Sequence, residues 1–278
     1  MVDLLRWLYI KVDMPSPYGW FHILSLLLLA AVVVTIVLLR KRISDRAVLI
    51  SLIVVWALMV LGDAYRQLFY ACDTTTGAWD YDWRYFPFQF CSSPLYVLPC
   101  AIFIRHKATK QFFYDFLATY SLFAGLIVMI VPDTVFMTDS ALLLVQSMMH
   151  HSGMVAIAVL LYATGKVKFS VFTVLRATAV FVGCLAVAML LNVTIDQPGF
   201  NMFYIDWVEG CKELPLLRDI YEVVPYPVFF LIYTVGFMLC ATIMHSIAFG
   251  ADCLRRAVQK KRAGNDEQTP IKEENKVD

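Results

Sequence analysis

Charge is what this chain has least of. Asp, Glu, Lys and Arg make up 16% of its 278 residues, against roughly 25% in an ordinary soluble domain. Hydrophobic residues reach 60%, against a usual share of about 45–50%. That balance excludes a water-soluble fold of one or two domains. Internal repeats are also lacking, so an inverted-repeat transporter has no support. No cleavable signal peptide is expected, because the residues before Trp20 carry Asp3, Asp13, Pro15 and Pro17 and no continuous apolar core. They suit a short interfacial stretch instead, with Leu4, Leu5, Trp7, Leu8 and Ile10 facing the membrane. The formal net charge of +1 says nothing about partners, but its distribution is informative.

The apolar residues come in long runs parted by short charged loops. About 20 mainly apolar residues, rising roughly 1.5 Å each, cross the hydrocarbon. Seven segments meet or approach that length: Trp20–Leu39, Ala47–Phe69, Pro87–Ile104, Phe112–Val131, Ser140–Thr164, Ser170–Asn192 and Val224–Gly250. The third is shortest and is interrupted by Pro94 and Pro99. The expected fold is therefore all-α, a polytopic bundle of seven transmembrane helices. Residues 1–19 form the interfacial segment, 20–250 the membrane domain, and 251–278 a basic and then disordered tail.

Lys and Arg gather on the cytoplasmic side of membrane proteins. Here they fill the first loop (Arg40, Lys41, Arg42, Arg46), the third (Arg105, Lys107, Lys110), the fifth (Lys166, Lys168) and the start of the tail (Arg255, Arg256, Lys260, Lys261, Arg262). The second, fourth and sixth loops are acidic or mixed. An odd number of crossings fits this alternation, with the N-terminus outside and the C-terminus cytoplasmic. Trp79, Tyr81, Trp83, Tyr204, Trp207 and Tyr221 crowd the second and sixth loops, as interfacial aromatics do. A multi-pass protein of the cell membrane is expected.

Polar residues inside the spans need an account, because they are expensive there. Asp115, Arg176 and His245 lie near cytoplasmic ends and can snorkel. His22 and Asn192 lie near the outer surface, where headgroup contact suffices. Asp63 and Arg66, three residues apart, can pair on one helix face. Alternatively Asp63 orients a catalytic His and Arg66 holds a lipid phosphate.

Two motifs stand out. The first is Phe86-Pro87-Phe88-Gln89-Phe90-Cys91-Ser92-Ser93-Pro94. If Pro87 opens a helix, Cys91 stands one turn in, where the helix dipole favours a thiolate. Pro94 lacks the N–H that would bond the carbonyl of Phe90. A small packing residue is the plain alternative for Cys91. The second motif is Gln146-Ser147-Met148-Met149-His150-His151-Ser152-Gly153. Two imidazoles in an apolar segment indicate function, or else hydrogen bonds that glue the bundle. Adjacent helical residues point about 100° apart, so one imidazole at most faces a given partner comfortably. At roughly 1.5 Å per residue, Cys91 falls about 6 Å below Pro87 and His151 about 16 Å below Ser140. Ideal helices thus leave Cys91 and the histidines about 10 Å apart in depth. Among the seven cysteines only Cys72 and Cys211 fall in outer loops, where an oxidising compartment permits a disulfide.

The first motif, extended through Leu95-Tyr96-Val97-Leu98-Pro99, resembles the signature of the YwaF-like integral membrane proteins. The paired-His segment resembles that family's second signature. Asn192 and Asn201-Met202, before the acidic sixth loop and Pro225-Tyr226-Pro227, resemble its third. The family includes the transmembrane protein 164 group, regarded as acyltransferases that place polyunsaturated acyl chains on ether phospholipids. The resemblance implies a catalytic Cys at Cys91 and a catalytic His most naturally at His151, with His150 the alternative. Many bacterial relatives have a His and an acidic residue flanking the Cys, where this chain has Gln89 and Ser92.

An acyl thioester on Cys91 would then pass its chain to a lysolipid hydroxyl, or to water in a hydrolase. Ser92 or Gln89 would donate hydrogen bonds to the oxyanion. Gln89 lies roughly 200° round a helix from Cys91, which favours Ser92. Asp63, Arg66, Asn192 and Asn201 complete the candidate substrate contacts. The expected partners are a membrane lipid and the bilayer, without nucleic acid, metal or cofactor. A transporter or channel lined by the His pair is the rival of another class.

Overall fold

The computed structural model describes residues 2–73, 76–195 and 197–267. Among them are nine α-helices and no β-strand, only two isolated bridges. Helix α1 (Val2–Leu8) buries Leu5 and turns Leu4 and Trp7 outward. Six helices are long and apolar enough to cross a bilayer: α2 (Trp20–Leu39), α3 (Asp45–Ala71), α5 (Lys107–Ile130), α6 (Ala141–Ala163), α7 (Val171–Thr194) and α9 (Tyr226–Glu267). A shorter apolar helix, α4 (Pro94–Phe103), stands between α3 and α5. With it the bundle has seven membrane helices. The ninth helix, α8 (Pro215–Val223), belongs to the sixth loop.

Local chemistry starts these helices where the sequence changes character. Ser44 caps α3 by accepting from the N–H of Ala47. Ser170 does the same for α7 through Phe172, and His106 caps α5 through Thr109. Such caps satisfy N–H groups that the first turn leaves without partners.

Helix α5 is the axis of the bundle. It packs against α4, α6, α7 and α9, and every residue from Asp115 to Ser121 is buried. Ala118, Ala124 and Gly125 let its neighbours approach closely, as small residues do between membrane helices. Helix α2 is the opposite case. It leans mainly on α6, with only His22 and Leu29 buried.

The third segment departs from expectation. Its helix opens at Pro94, not Pro87, and has ten residues, about 15 Å or half the hydrocarbon. Proline at N1 is preorganised to begin a helix and cannot continue one. Residues 86–93 therefore enter the bundle as irregular backbone, with one 3₁₀ turn at Phe90–Ser92. Such backbone persists at membrane depth only where protein satisfies it. The carbonyl of Tyr85 takes Gln67 Nε2 at 2.8 Å, and that of Pro87 takes the Tyr96 hydroxyl at 2.9 Å. The Phe90 carbonyl, deprived of a donor by Pro94, takes the Ser93 hydroxyl at 2.7 Å. The Cys91 carbonyl takes a histidine.

The two ends of the bundle sort by charge. Lys166 reaches Asp45 at 2.6 Å, and Gln111 donates to the Lys166 carbonyl at 3.0 Å, so basic loops meet at one end. At the other, the N-terminal segment pairs with the loop before α6. Lys11 bridges to Ser140, Val12 N–H donates to the Asp139 carbonyl at 2.8 Å, and the Tyr9 hydroxyl reaches the Asp139 carboxylate at 2.7 Å.

Several polar residues are placed differently from the simple expectations. Asp115 does not snorkel: it is buried and bound to Arg176 Nε at 2.6 Å, with Gln111 at 2.7 Å. His245 bonds the Tyr162 hydroxyl at 2.8 Å. His22 makes no headgroup contact. It is buried between the Tyr18 N–H, which donates to Nδ1 at 2.9 Å, and the Met129 carbonyl, 2.8 Å from Nε2. Each lies within the bundle because helix partners supply the bonds that lipid would not. Helix α9 also runs past Gly250 to Glu267, so residues 263–267, expected to be disordered, are helical. Asp252 pairs there with Arg255 and Arg256 one turn on. Residues 268–278 of the expected tail lie outside the described residues.

Candidate functional site

Cys91 and the His pair meet, and the way they meet explains the 10 Å mismatch. Because the third segment is unwound before Pro94, Cys91 is carried deeper than a helix from Pro87 would place it. There His150 Nε2 stands 2.9 Å from the Cys91 carbonyl oxygen. The bond goes to the main chain of Cys91 and not to its thiol. Cys91 itself is a half-buried free thiol. It stands in the 3₁₀ turn in front of α4 and not inside an α-helix, so the expected one-turn position in a helix dipole does not apply.

Phe90 anchors the turn. Its ring meets Phe181 of α7 at 5.7 Å and Phe237 of α9 at 4.8 Å, and Tyr120 of α5 stacks on Phe181 at 4.6 Å. Aromatic contacts of this kind add about 0.5–1.5 kcal/mol each beyond burial. Three helices thus grip Phe90, while α6 holds the carbonyl of Cys91.

The hydrogen bonds fix the state of both imidazoles. A carbonyl oxygen only accepts, so His150 Nε2 must carry hydrogen. His151 Nδ1 lies 2.7 Å from the Ser147 carbonyl and carries hydrogen for the same reason. In the neutral rings His150 Nδ1 and His151 Nε2 are then lone-pair acceptors. Both are buried with no hydrogen-bond partner among the described residues. The two residues are only 6% and 5% exposed, with ring centroids 5.3 Å apart. Buried acceptors without donors are rare in folded proteins. Two on neighbouring residues mark this as the polar centre of the bundle.

Asp63 and Arg66 bind each other: Arg66 Nε and Nη2 reach the same Asp63 oxygen at 3.0 and 2.7 Å. Ser92 is buried beside Cys91.

The remaining candidates turn out to be braces. Gln89 donates to the Asn201 carbonyl at 2.8 Å and accepts from the Phe203 N–H at 2.9 Å. One amide hydrogen and the amide oxygen of Gln89 are thereby committed to the sixth loop. Asn192 donates to the Met202 carbonyl at 3.1 Å and accepts from its N–H at 2.7 Å. Asn201 spans the Gly210 carbonyl and the Asp206 N–H at 2.7 and 3.0 Å. Gln89 ties the sixth loop to residues 86–93, Asn192 ties it to α7, and Asn201 closes the loop on itself, where Phe203 and Tyr204 have positive φ angles of 58° and 55°. Trp56 was not foreseen either: its indole N–H donates to the Leu95 carbonyl at 3.0 Å. The usable signal for the braces was an amide set within an aromatic run.

The Cys72–Cys211 bridge is not formed, and both are buried free thiols. Cys211 is packed in the main core under the sixth loop, where burial pushes its thiol up to about 11. Cys72 pairs its backbone with Trp79 in the second loop. Each is occupied where it stands. A separate apolar groove of about 430 Å³ lies between α2, α3 and α6, lined by Leu28, Leu58, Met59 and Met149 among others. Its α6 face is roughly 130° round the helix from either histidine, so it is no part of the site.

An all-helical membrane bundle enclosing a cysteine and two histidines is thus the class of protein that the fold and site define. The sequence model of the TMEM164 family matches residues 17–246. The match takes in every candidate residue above, and the chain belongs to that family. No curated protein and no solved structure matches it.

Proposed function

We propose that this protein is an intramembrane lipid acyltransferase in which Cys91 is the nucleophile and His150 its base. The observation carrying the proposal is the 2.9 Å bond from His150 to the Cys91 carbonyl. It fixes the ring beside the cysteine and, by holding hydrogen on Nε2, leaves Nδ1 free to take a proton. In this reaction the thiol proton moves to Nδ1 and the thiolate attacks an ester carbonyl of a phospholipid, forming an acyl thioester. Ser92 is the side chain nearest in sequence to serve the oxyanion. Arg66, held by Asp63 at 2.7 Å, is the cation offered to the lipid phosphate. His150 replaces His151 as the preferred partner of Cys91, because it alone of the two bonds that residue.

A merely structural His150 would serve as a donor to the carbonyl and nothing more. His150→Gln keeps a donor at the Nε2 position and removes the base, so it separates the two roles. Purified protein supplied with a labelled phospholipid is expected to form a hydroxylamine-labile adduct that Cys91→Ala abolishes. His150→Gln should slow its formation by about 10²–10⁴-fold. An undiminished adduct in Cys91→Ala would refute the assignment.

A further inference from the structure

Helix α2 packs mainly on α6, and the space left between it and α3 is the groove of about 430 Å³. The lining runs from Phe21 to Val32, about 16 Å along α2, and one leaflet of hydrocarbon is about 15 Å deep. Leu24, Leu28 and Leu58 are exposed along it, so it opens to the surrounding lipid. Its side-chain hydroxyls are already engaged. Ser25 Oγ donates to the Phe21 carbonyl at 2.9 Å, and Ser152 Oγ to Met129 Sδ at 3.5 Å. Water has no partner in such a space, whereas acyl chains stand at its mouth. On the His150 side α3 closes onto α6, where a Cβ at Gly62 would lie 2.7 Å from Gln146 Cγ. A second cavity, of about 400 Å³, lies at the N-terminal ends of α2 and α6 and shares Phe21 and Val145 with the groove. Asp13, Ser16 and Trp20 line it, and no Lys or Arg does. Asp13 has no ion pair or hydrogen bond among the described residues. Lys11, two residues away, is turned to Asp139 at 3.8 Å.

We propose that the two cavities together hold one intact phospholipid with an amine headgroup, a choline or ethanolamine lipid. One acyl chain fills the groove. The headgroup occupies the cavity at its end, with the amine on the Asp13 carboxylate and the Trp20 ring. A cation over an indole face is attracted by the ring, and indoles favour headgroup depth. A carboxylate with no cation paired to it repels an anionic headgroup. The bound chain supplies the packing that α3 does not give α2. This lipid is held without reacting, because the groove faces away from both histidines. The site does not rest on the Cys91 chemistry.

The test uses the full chain in nanodiscs containing phosphatidylcholine with a photoactivatable diazirine on one acyl chain, and peptide mass spectrometry locates the label. Label should concentrate on groove residues of α2, α3 and α6, several-fold above Val182 and Val187, which are exposed on α7. Ala156→Phe fills the groove and should remove that excess while the α7 label stays. Circular dichroism and a single size-exclusion peak establish folding; should Ala156→Phe fail them, Leu28→Trp fills the groove from α2 to the same expected end. With phosphatidylglycerol as bulk lipid the probe meets a weaker competitor. Groove label should then rise about 2–5-fold over that in phosphatidylethanolamine, and Asp13→Asn should erase the rise. Cys91→Ala should label as the wild type does, so a failure of the acyl-transfer reading would leave this site standing. Label spread evenly over groove and α7, or surviving in a folded filled variant, overturns the proposal. So does groove label that is no higher in phosphatidylglycerol, or a rise that persists in Asp13→Asn.

Discussion

Gly125 lets α5 press directly against the backbone of α6 behind the His pair. A Cβ built there would lie 2.8 Å from the His151 carbonyl oxygen, 2.8 Å from Met154 Cβ and 3.2 Å from Val155 Cγ2. Carbon contacts are comfortable at about 3.5–4.0 Å, so Gly125→Ala forces α5 and α6 apart by about 0.7 Å or more. Backbone and Cβ atoms cannot swing aside as a side-chain tip would. Overpacking of this kind costs about 1–3 kcal/mol, against about 1 kcal/mol of helix propensity gained on replacing Gly by Ala. Gly183 supplies the reference, because its Cβ would meet nothing within 4 Å. Gly183→Ala therefore reports propensity alone, and the difference between the variants isolates the collision. At roughly 2–4 °C per kcal/mol for a chain of this size, Gly125→Ala should melt a few degrees to about 10 °C below Gly183→Ala. Tryptophan-fluorescence melts in detergent measure this. Displacement near a reacting centre costs up to about 10²-fold in rate, so adduct formation should fall with it. Equal melting of the two variants would show that α5 and α6 do not touch at Gly125, and the geometry assigned to His151 would go with it.

Three other outcomes are expected. Gln89→Leu leaves the Phe203 N–H without its acceptor, a loss of about 1–3 kcal/mol, and leaves the Asn201 carbonyl only the Tyr204 N–H at 3.5 Å; protease should then cut the 206–213 loop faster, and unchanged digestion would contradict the bracing role. Asp115→Leu strands Arg176 and should cost about 3–5 kcal/mol, much of it recovered in Asp115→Leu with Arg176→Met; equal melting of the single and double variants would contradict a buried pair. In a Cys253→Ser background, Asp80→Cys should react with impermeant maleimide in intact cells while Lys41→Cys resists it. The reverse pattern would invert the membrane orientation.

The long spans were legible because hydropathy over about 20 residues is a summed signal that no single contact disturbs. The third segment was not, because its form turns on one residue. Proline at 87 and proline at 94 can each open a helix, and only the packing of Phe90 among Phe181, Phe237 and Tyr120 decides for the second. Cys91 and the His pair stood out as residue types out of place in hydrocarbon, and the fold brings His150 to the Cys91 carbonyl. Which imidazole meets Cys91 was not, since adjacent helical residues differ by about 100° and the partner's backbone was assumed to be helical. Gln89, Asn192 and Asn201 looked like substrate contacts for a related reason. A sequence shows an amide in an apolar setting but not the main-chain groups waiting for it across the fold.

Helix α4 has a consequence for how the protein is made. Ten residues reach about halfway through the hydrocarbon, so this segment cannot partition into a bilayer alone and stay there. Only three residues, Ile104 to His106, separate it from α5, and the two pack along their length. They must enter as a hairpin, with α5 supplying the transfer free energy for both. The irregular stretch above α4 then has no donor for the Cys91 carbonyl until α6 arrives with His150. The centre is therefore among the last parts to be assembled, and a chain halted before α6 would hold Cys91 in an open, unsatisfied segment with no imidazole on its carbonyl.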